Sequence, residues 1–166
     1  ADLKALGGKL GLDDLEGYAA RLREPLALRR GAARIHAMPG LFAGNTMARC
    51  LELLGDAGRA GQPGAEFYLS FARTLQQAYR ERLERSGGEE SPVQTCTSHF
   101  NVVDRAGNMV AVTQTLLSIF GSRVVLPNTG ILMNNGINWF DPRPGRPNSL
   151  APAKQPLSNM CPTIVE

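Results

Sequence analysis

The feature that most constrains the fold is a change of apolar period in the middle of the chain. Phe67, Phe71, Leu75, Tyr79 and Leu83 recur every fourth residue, which puts them on one stripe of a helix that a neighbour would bury. The stripe ends in Arg85-Ser86-Gly87-Gly88, and 89–94 reads as an exposed, proline-containing linker. Beyond the linker the period is two. Residues 98–103 and 109–115 read as strands joined by Asp104-Arg105-Ala106-Gly107-Asn108, which is hairpin turn chemistry. A helical stripe and an alternating strand bury their side chains by different rules, so the linker divides a mostly helical first half from a β-rich, antiparallel second half. The expected class is α+β.

The remaining segments fill in that frame. Gly11 caps a short helix with Asp13 and Asp14 in its first turn, complementing the helix dipole. Leu12, Leu15 and Tyr18 share its face, and Pro25 finishes it. Residues 33–38 alternate weakly as a strand, and 39–44 form a turn-rich connector. Asn45 caps a helix carrying Met47, Cys50, Leu51 and Leu54, in which Cys50 reads as a small core residue. Residues 55–64 are a glycine-rich surface loop, and 124–126 and 131–133 read as strands about Pro127-Asn128-Thr129-Gly130. The proline-rich stretch 134–158 has little periodicity and reads as a long structured loop, a kind that usually serves function. Pro162-Thr163-Ile164-Val165 begins a strand just before the sequence stops at Glu166, which points to a piece of something longer.

Composition narrows the function classes. Of 166 residues, 43% are hydrophobic and 20% charged, the balance of a globular chain rather than a disordered one. The net charge of +3 is spread along the sequence and argues against a nucleic-acid surface. No apolar run approaches the roughly twenty residues of a membrane span. Cys50, Cys96 and Cys161 make no disulfide framework or zinc motif, and His36 and His99 alone do not furnish a metal site. Nothing near Ala1 reads as a signal peptide, and the compartment stays open.

The chemistry concentrates where the linker meets the first alternating strand, in Thr95-Cys96-Thr97-Ser98-His99. A threonine hydroxyl is a poor nucleophile without a neighbouring base, and one solution is to cut the chain before it so that its own freed amine becomes that base. This requires a deformable loop, a rigid strand, and a nucleophile at the junction. Residues 89–96 followed by Thr97 match that requirement, with the Thr97 hydroxyl itself attacking the Cys96 carbonyl to give an ester that water hydrolyses. Cys96 and Ser98 are chemical rivals, and alternation alone does not say which face Thr97 takes.

Thr97-Ser98-His99-Phe100-Asn101-Val102-Val103-Asp104, then Gly107-Asn108 and Val112-Thr113-Gln114-Thr115, resembles the start of the small subunit of γ-glutamyltranspeptidases, which are autoprocessed N-terminal-nucleophile hydrolases. The likeness continues through Phe120-Gly121-Ser122, Thr129-Gly130-Ile131-Leu132, Asn134-Asn135, Pro144-Gly145-Arg146-Pro147-Asn148 and Pro156-Leu157-Ser158-Asn159-Met160-Cys161-Pro162-Thr163-Ile164-Val165. Gly7-Gly8, Asp14-Leu15, Tyr18, Glu24-Pro25-Leu26, Met38-Pro39 and Ala78-Tyr79 look like the last part of the large subunit.

The resemblance implies an αββα sandwich, here partial, with 1–96 the end of a large-subunit-like region and 97–166 the start of a small-subunit-like one. It implies that Thr97 is the catalytic threonine, freed by cleavage of its bond to Cys96. Thr115 would support it from the neighbouring strand, with Thr113 a nearby motif threonine, while His99 reads as structural. Ser158, Asn159 in place of a second serine, and Asn135 would hold substrate, Ser158 and Asn159 on the α-carboxylate. The substrate would be a γ-glutamyl or other amide, the acceptor water or an amine, the partners the remaining subunit segments, and no cofactor is implied.

Departures bear on specificity. The family grips the substrate's α-amino group at positions where this chain has Leu117, Gly136 and Trp139. Loss of a charge-assisted contact of this kind removes about 1.5–3 kcal/mol. A more apolar pocket and an acylase acting on a non-glutamyl amide follow as the second reading; Arg123 and Arg143 read first as solvated surface, and as replacement carboxylate binders only in second place. A non-catalytic relative serving as a binding module is the reading from another class. The sequence also stops before the family's glycine-rich oxyanion motif, so the fragment alone is expected to be inactive.

Overall fold

The computed structural model describes residues 2–57, 62–87 and 95–166; the linker 89–94 lies outside them. In chain order the elements are helices α1 (Asp2–Ala5) and α2 (Leu12–Glu16), strands β1 (Leu26–Arg30) and β2 (Ala33–Ala37), helices α3 (Gly44–Leu54) and α4 (Ala65–Ser86), strands β3 (Thr95–Val103) and β4 (Met109–Ser118), a 3-10 helix at Gly136–Trp139, and β5 (Thr163–Val165). The class is α+β with antiparallel pairing, as expected, although the first half is less helical than the sequence implied. The chain forms two compact units. One comprises Ala1–Glu24, Pro92–Ser98 and Gln114–Gly136; the other Pro25–Ser91, His99–Thr113 and Ile137–Glu166.

In the second unit, β1 pairs antiparallel with β2, Leu26 opposite Ala37 and Leu28 opposite Ile35, and β5 adds to the other edge of β2. The connection is Gly31-Ala32, with Gly31 at φ +65°. Glycine adopts that angle without the clash a Cβ brings, and Gly-X is the signature of a tight hairpin turn. Strand β1 was absent from the sequence expectation because Leu26 and Leu28 alternate too briefly; the Gly31-Ala32 turn was the available signal.

Helix α3 packs on β1 and on α4. It buries Gly44, Thr46, Cys50 and Leu54. A Cβ on Gly44 would lie 1.9 Å from the Met38 carbonyl oxygen, so only glycine fits there. An ion pair ties the helices, with Arg49 Nε 2.8 Å and Nη2 3.1 Å from the Glu81 carboxylate oxygens. Helix α4 departs from expectation: its buried residues are Thr74 and Ala78, whereas Phe71, Tyr79 and Leu83 remain 38%, 41% and 43% exposed. The small Thr74 and Ala78 allow close approach to α3, and the Arg49 to Glu81 pair fixes that rotation, which turns the aromatic stripe away from α3.

The connection 104–108 has the turn chemistry expected of it. Asp104 Oδ1 accepts from the Ala106 and Asn108 amides at 2.9 and 2.8 Å, and Gly107 sits at φ +84°. These hydrogen bonds, led by the Asn108 side chain, hold the Asp104 carboxyl below the usual carboxylate range. The proline-rich stretch is ordered by buried polar hubs. Asn148 donates from Nδ2 to the Trp139 carbonyl at 2.7 Å and accepts at Oδ1 from the Leu157 amide at 2.9 Å. Asp141 receives the Arg143 side chain at Nε, 3.0 Å, and Nη2, 2.8 Å. That fork engagement bears on the sequence reading of Arg143 as a carboxylate binder, since its fork already faces one; Arg123 is exposed.

In the first unit, α2 is shorter than expected. Gly11 donates to Asp14 Oδ2 at 2.7 Å and Gly17 ends the helix, leaving Tyr18 outside it and exposed. The strands expected at 124–126 and 131–133 reduce to one antiparallel bridge between Val125 and Leu132. The turn between them is present, with Gly130 donating to the Leu126 carbonyl at 2.8 Å. The chain entering the first of these segments bends sharply, with Phe120, Gly121 and Arg123 all at positive φ.

Candidate active site

Strand β3 begins at Thr95, so Cys96 is already within the strand rather than in the loop the sequence implied. The reason is a cross-strand side-chain bond: the Thr115 hydroxyl of β4 donates to the Cys96 carbonyl at 2.8 Å. The Thr97 hydroxyl in turn donates to Thr115 Oγ1 at 3.0 Å. This resolves the parity question, because Thr97 stands on the strand face that meets Thr115, while its neighbours Cys96 and Ser98 alternate to the other. The Leu117 amide also donates to Thr115 Oγ1, at 2.8 Å. A hydroxyl has one hydrogen to give and two lone pairs. Thr115 therefore uses all three, and its hydrogen is committed to the Cys96 carbonyl oxygen.

Leu117 itself adopts φ +74° and is only 4% exposed. A left-handed leucine costs on the order of 1–2 kcal/mol. Just beyond, Asn135 locks the end of β4. Its Oδ1 accepts from the Ser118 amide at 3.0 Å, and its Nδ2 donates to Ser118 Oγ at 2.7 Å. Both polar atoms of the Asn135 side chain are thus engaged with Ser118. Gly136 begins the 3-10 helix with its amide on Asn134 Oδ1 at 2.9 Å.

Thr113 meets His99 rather than Thr97. His99 Nε2 faces Asn101 Oδ1 at 3.1 Å, and Nδ1 faces Thr113 Oγ1 at 2.7 Å. An amide oxygen only accepts, so a neutral His99 carries its proton on Nε2 and takes the Thr113 hydroxyl hydrogen on Nδ1. Both ring nitrogens have partners, which fits the structural reading of His99.

Ser158 and Asn159 lie in the other unit. Ser158 is 5% exposed, its amide donating to the Leu41 carbonyl at 2.9 Å and its Oγ accepting from the Met160 amide at 3.2 Å. Asn159 is exposed. Arg82 of α4, a residue the sequence reading passed over, holds both: Nη2 donates to the Ser158 carbonyl at 2.8 Å and to Asn159 Oδ1 at 3.1 Å, while Nη1 donates to Thr46 Oγ1 at 2.9 Å. Burial pushes the Arg82 guanidinium down from its ordinary range. No spacing pattern could have signalled Arg82, because its partners lie 76 and 77 residues further along. Among the described residues, no three His, Cys, Asp or Glu side chains gather to hold a metal ion, and no helix is long and apolar enough to cross a membrane.

A cephalosporin acylase from Bacillus halodurans superposes with a TM-score of 0.75 at 21% identity, over 98% of this chain and 36% of that one. The chain belongs to the gamma-glutamyltranspeptidase family, whose sequence model matches residues 72–166. A glutathione hydrolase proenzyme of Bacillus subtilis (strain 168) is 45% identical over 69 residues, 42% of this chain and 12% of that protein. The acylase ACY 1 proenzyme of Pseudomonas sp. (strain V22) is 30% identical over 98% of this chain and 36% of its own length. The chain thus spans little more than a third of the relatives it matches from end to end.

Proposed function

We propose that this chain is the junction of an autoprocessing threonine amidase, with 1–96 ending a large-subunit-like region and Thr97 opening a small-subunit-like one. The observation that carries the reading is the hydrogen-bond chain from Thr97 through Thr115 to the Cys96 carbonyl. Thr97 Oγ1 attacks the Cys96 carbonyl carbon, and the Thr115 hydroxyl hydrogen meets the negative charge growing on the carbonyl oxygen. The Thr97 hydroxyl proton passes to the amide nitrogen as the C–N bond breaks. The products are an ester from the Cys96 acyl carbon to Thr97 Oγ1 and a free Thr97 α-amine. Water adds to the ester carbonyl, releasing the Cys96 carboxylate and restoring the hydroxyl, and the new amine becomes the base.

In turnover, Thr97 Oγ1 attacks the acyl carbonyl of an amide, its proton moving through the α-amine to the leaving nitrogen. The acyl ester is then resolved by water or by an amine acceptor. The substrate is a γ-glutamyl or related acyl amide such as glutathione, which the glutathione hydrolase relatives support. Ser158 and Asn159 hold its α-carboxylate, and the remaining subunit segments complete the site.

The second reading, an acylase for non-glutamyl amides, is favoured by the buried Leu117 and by Gly136 and Trp139 where an ammonium would be gripped. Hydrolysis of γ-glutamyl-p-nitroanilide and glutaryl-p-nitroanilide by the full-length protein separates the two, because the substrates differ only in the α-amino group. Without the ammonium contacts, the family's usual preference for the γ-glutamyl anilide is expected to shrink by about tenfold or more, leaving glutaryl turned over at least as well. A strong γ-glutamyl preference would refute the argument from the replaced residues, and no turnover of either amide by cleaved protein would favour the binding module.

A further inference from the structure

We propose that Arg82 is the positioning residue that converts the sequence pair Ser158 and Asn159 into a two-donor cradle for a substrate carboxylate; this rests on the reading of that pair given above. The side chain reaches from near the C-terminal end of α4 to three groups, the Thr46 hydroxyl, the Ser158 carbonyl and Asn159 Oδ1. All three are neutral acceptors here. A guanidinium can only donate, so it selects the oxygen end of the Asn159 amide and turns the Nδ2 end the other way. Among the described residues Nδ2 has no partner, and both of its N–H bonds remain available to an anion. The same Nη2 fixes the Ser158 carbonyl, so the two residues are set from one point.

Asparagine is otherwise an ambiguous replacement for serine in such a cradle, since its amide presents an acceptor or a donor depending on which way it lies. An acceptor facing a carboxylate would repel it. Arg82 removes the ambiguity and brings a positive charge, partly shielded from water and facing no carboxylate among these partners, to the rear of the pair. Lysine cannot substitute fully, because one ammonium lacks the planar fork that reaches Thr46 and the Ser158 and Asn159 oxygens together.

The test uses full-length, cleaved protein with glutaryl-p-nitroanilide and butyryl-p-nitroanilide, which differ by the terminal carboxylate. Arg82→Gln is expected to lower the glutaryl-to-butyryl ratio of kcat/KM by about tenfold, through KM for the glutaryl substrate, with Arg82→Lys recovering part of it. Asn159→Asp, which keeps the oxygen toward Arg82 but has no outward donor, is expected to lower the ratio at least as far. Equal losses on both substrates, or a loss confined to kcat, would overturn the proposal. Ser158→Ala and Asn159→Ala separate it from the underlying reading. If neither changes the ratio, the pair is not a carboxylate site; if they do and Arg82→Gln and Arg82→Lys do not, Arg82 alone is wrongly assigned. Cleavage at Thr97 and the melting temperature report whether each variant has folded, and should Arg82→Gln fail to fold, Arg82→Lys carries the comparison.

Discussion

Replacing Thr115 with valine keeps the branched shape and the strand propensity while deleting the hydroxyl on which three hydrogen bonds converge. Two consequences can be sized. The Cys96 carbonyl loses its side-chain donor, and removal of one donor aimed at a developing oxyanion slows a reaction by about a hundred- to a thousandfold. The amide of buried Leu117 loses its acceptor, which costs about 1–3 kcal/mol of stability. Conversion of full-length precursor to two chains, followed by intact mass over time, reads the first effect, and a urea titration reads the second. Thr115→Ser retains the hydroxyl and is expected to cleave within about tenfold of wild type, which separates loss of the donor from loss of the fold. A folded Thr115→Val protein that cleaves at the wild-type rate would refute the role given to this hydroxyl.

Leu117 sits at φ +74°, an angle that alanine tolerates no better than leucine but glycine adopts freely. Leu117→Gly is therefore expected to be more stable than Leu117→Ala by about 1 kcal/mol, the reverse of the usual penalty for glycine; urea midpoints in the opposite order would contradict the left-handed assignment. The Arg143 side chain beside Asp141 holds its carboxyl at about 2, below its value in an unfolded chain. A carboxyl depressed on folding stabilises above its unfolded pKa, and that contribution is lost as protons bind. The Asp141 contribution should thus be complete above about pH 4 and vanish between about pH 4 and 2. Melting temperatures of wild type and Asp141→Asn are expected to differ near neutrality and converge near pH 2, and parallel curves across that range would count against the pairing.

Much of this architecture was legible because it is local. The alternation in β3 and β4, the turn at 104–108 and the long helix α4 each follow from residues a few positions apart. The rotation of α4 was not, because its buried face is set by Thr74 and Ala78 against α3, and small residues carry little apolar signal beside Phe71 and Tyr79. The start of β3 at Thr95 depended likewise on a partner, Thr115, 19 residues beyond Cys96. In the candidate site, Thr97 was marked by chemistry and by family resemblance. The face it presents, the full engagement of Thr115, the clamp of Asn135 on Ser118 and the place of Arg82 all rest on contacts between segments distant in sequence.

The most direct test of Thr97 as a self-activated nucleophile is the intact mass of the full-length protein after expression, with and without Thr97→Ala. Two chains are expected, the second beginning at Thr97, and a single uncut chain for Thr97→Ala. A wild-type protein that remains one chain under all conditions, or a Thr97→Ala protein cut at the same bond, would contradict it.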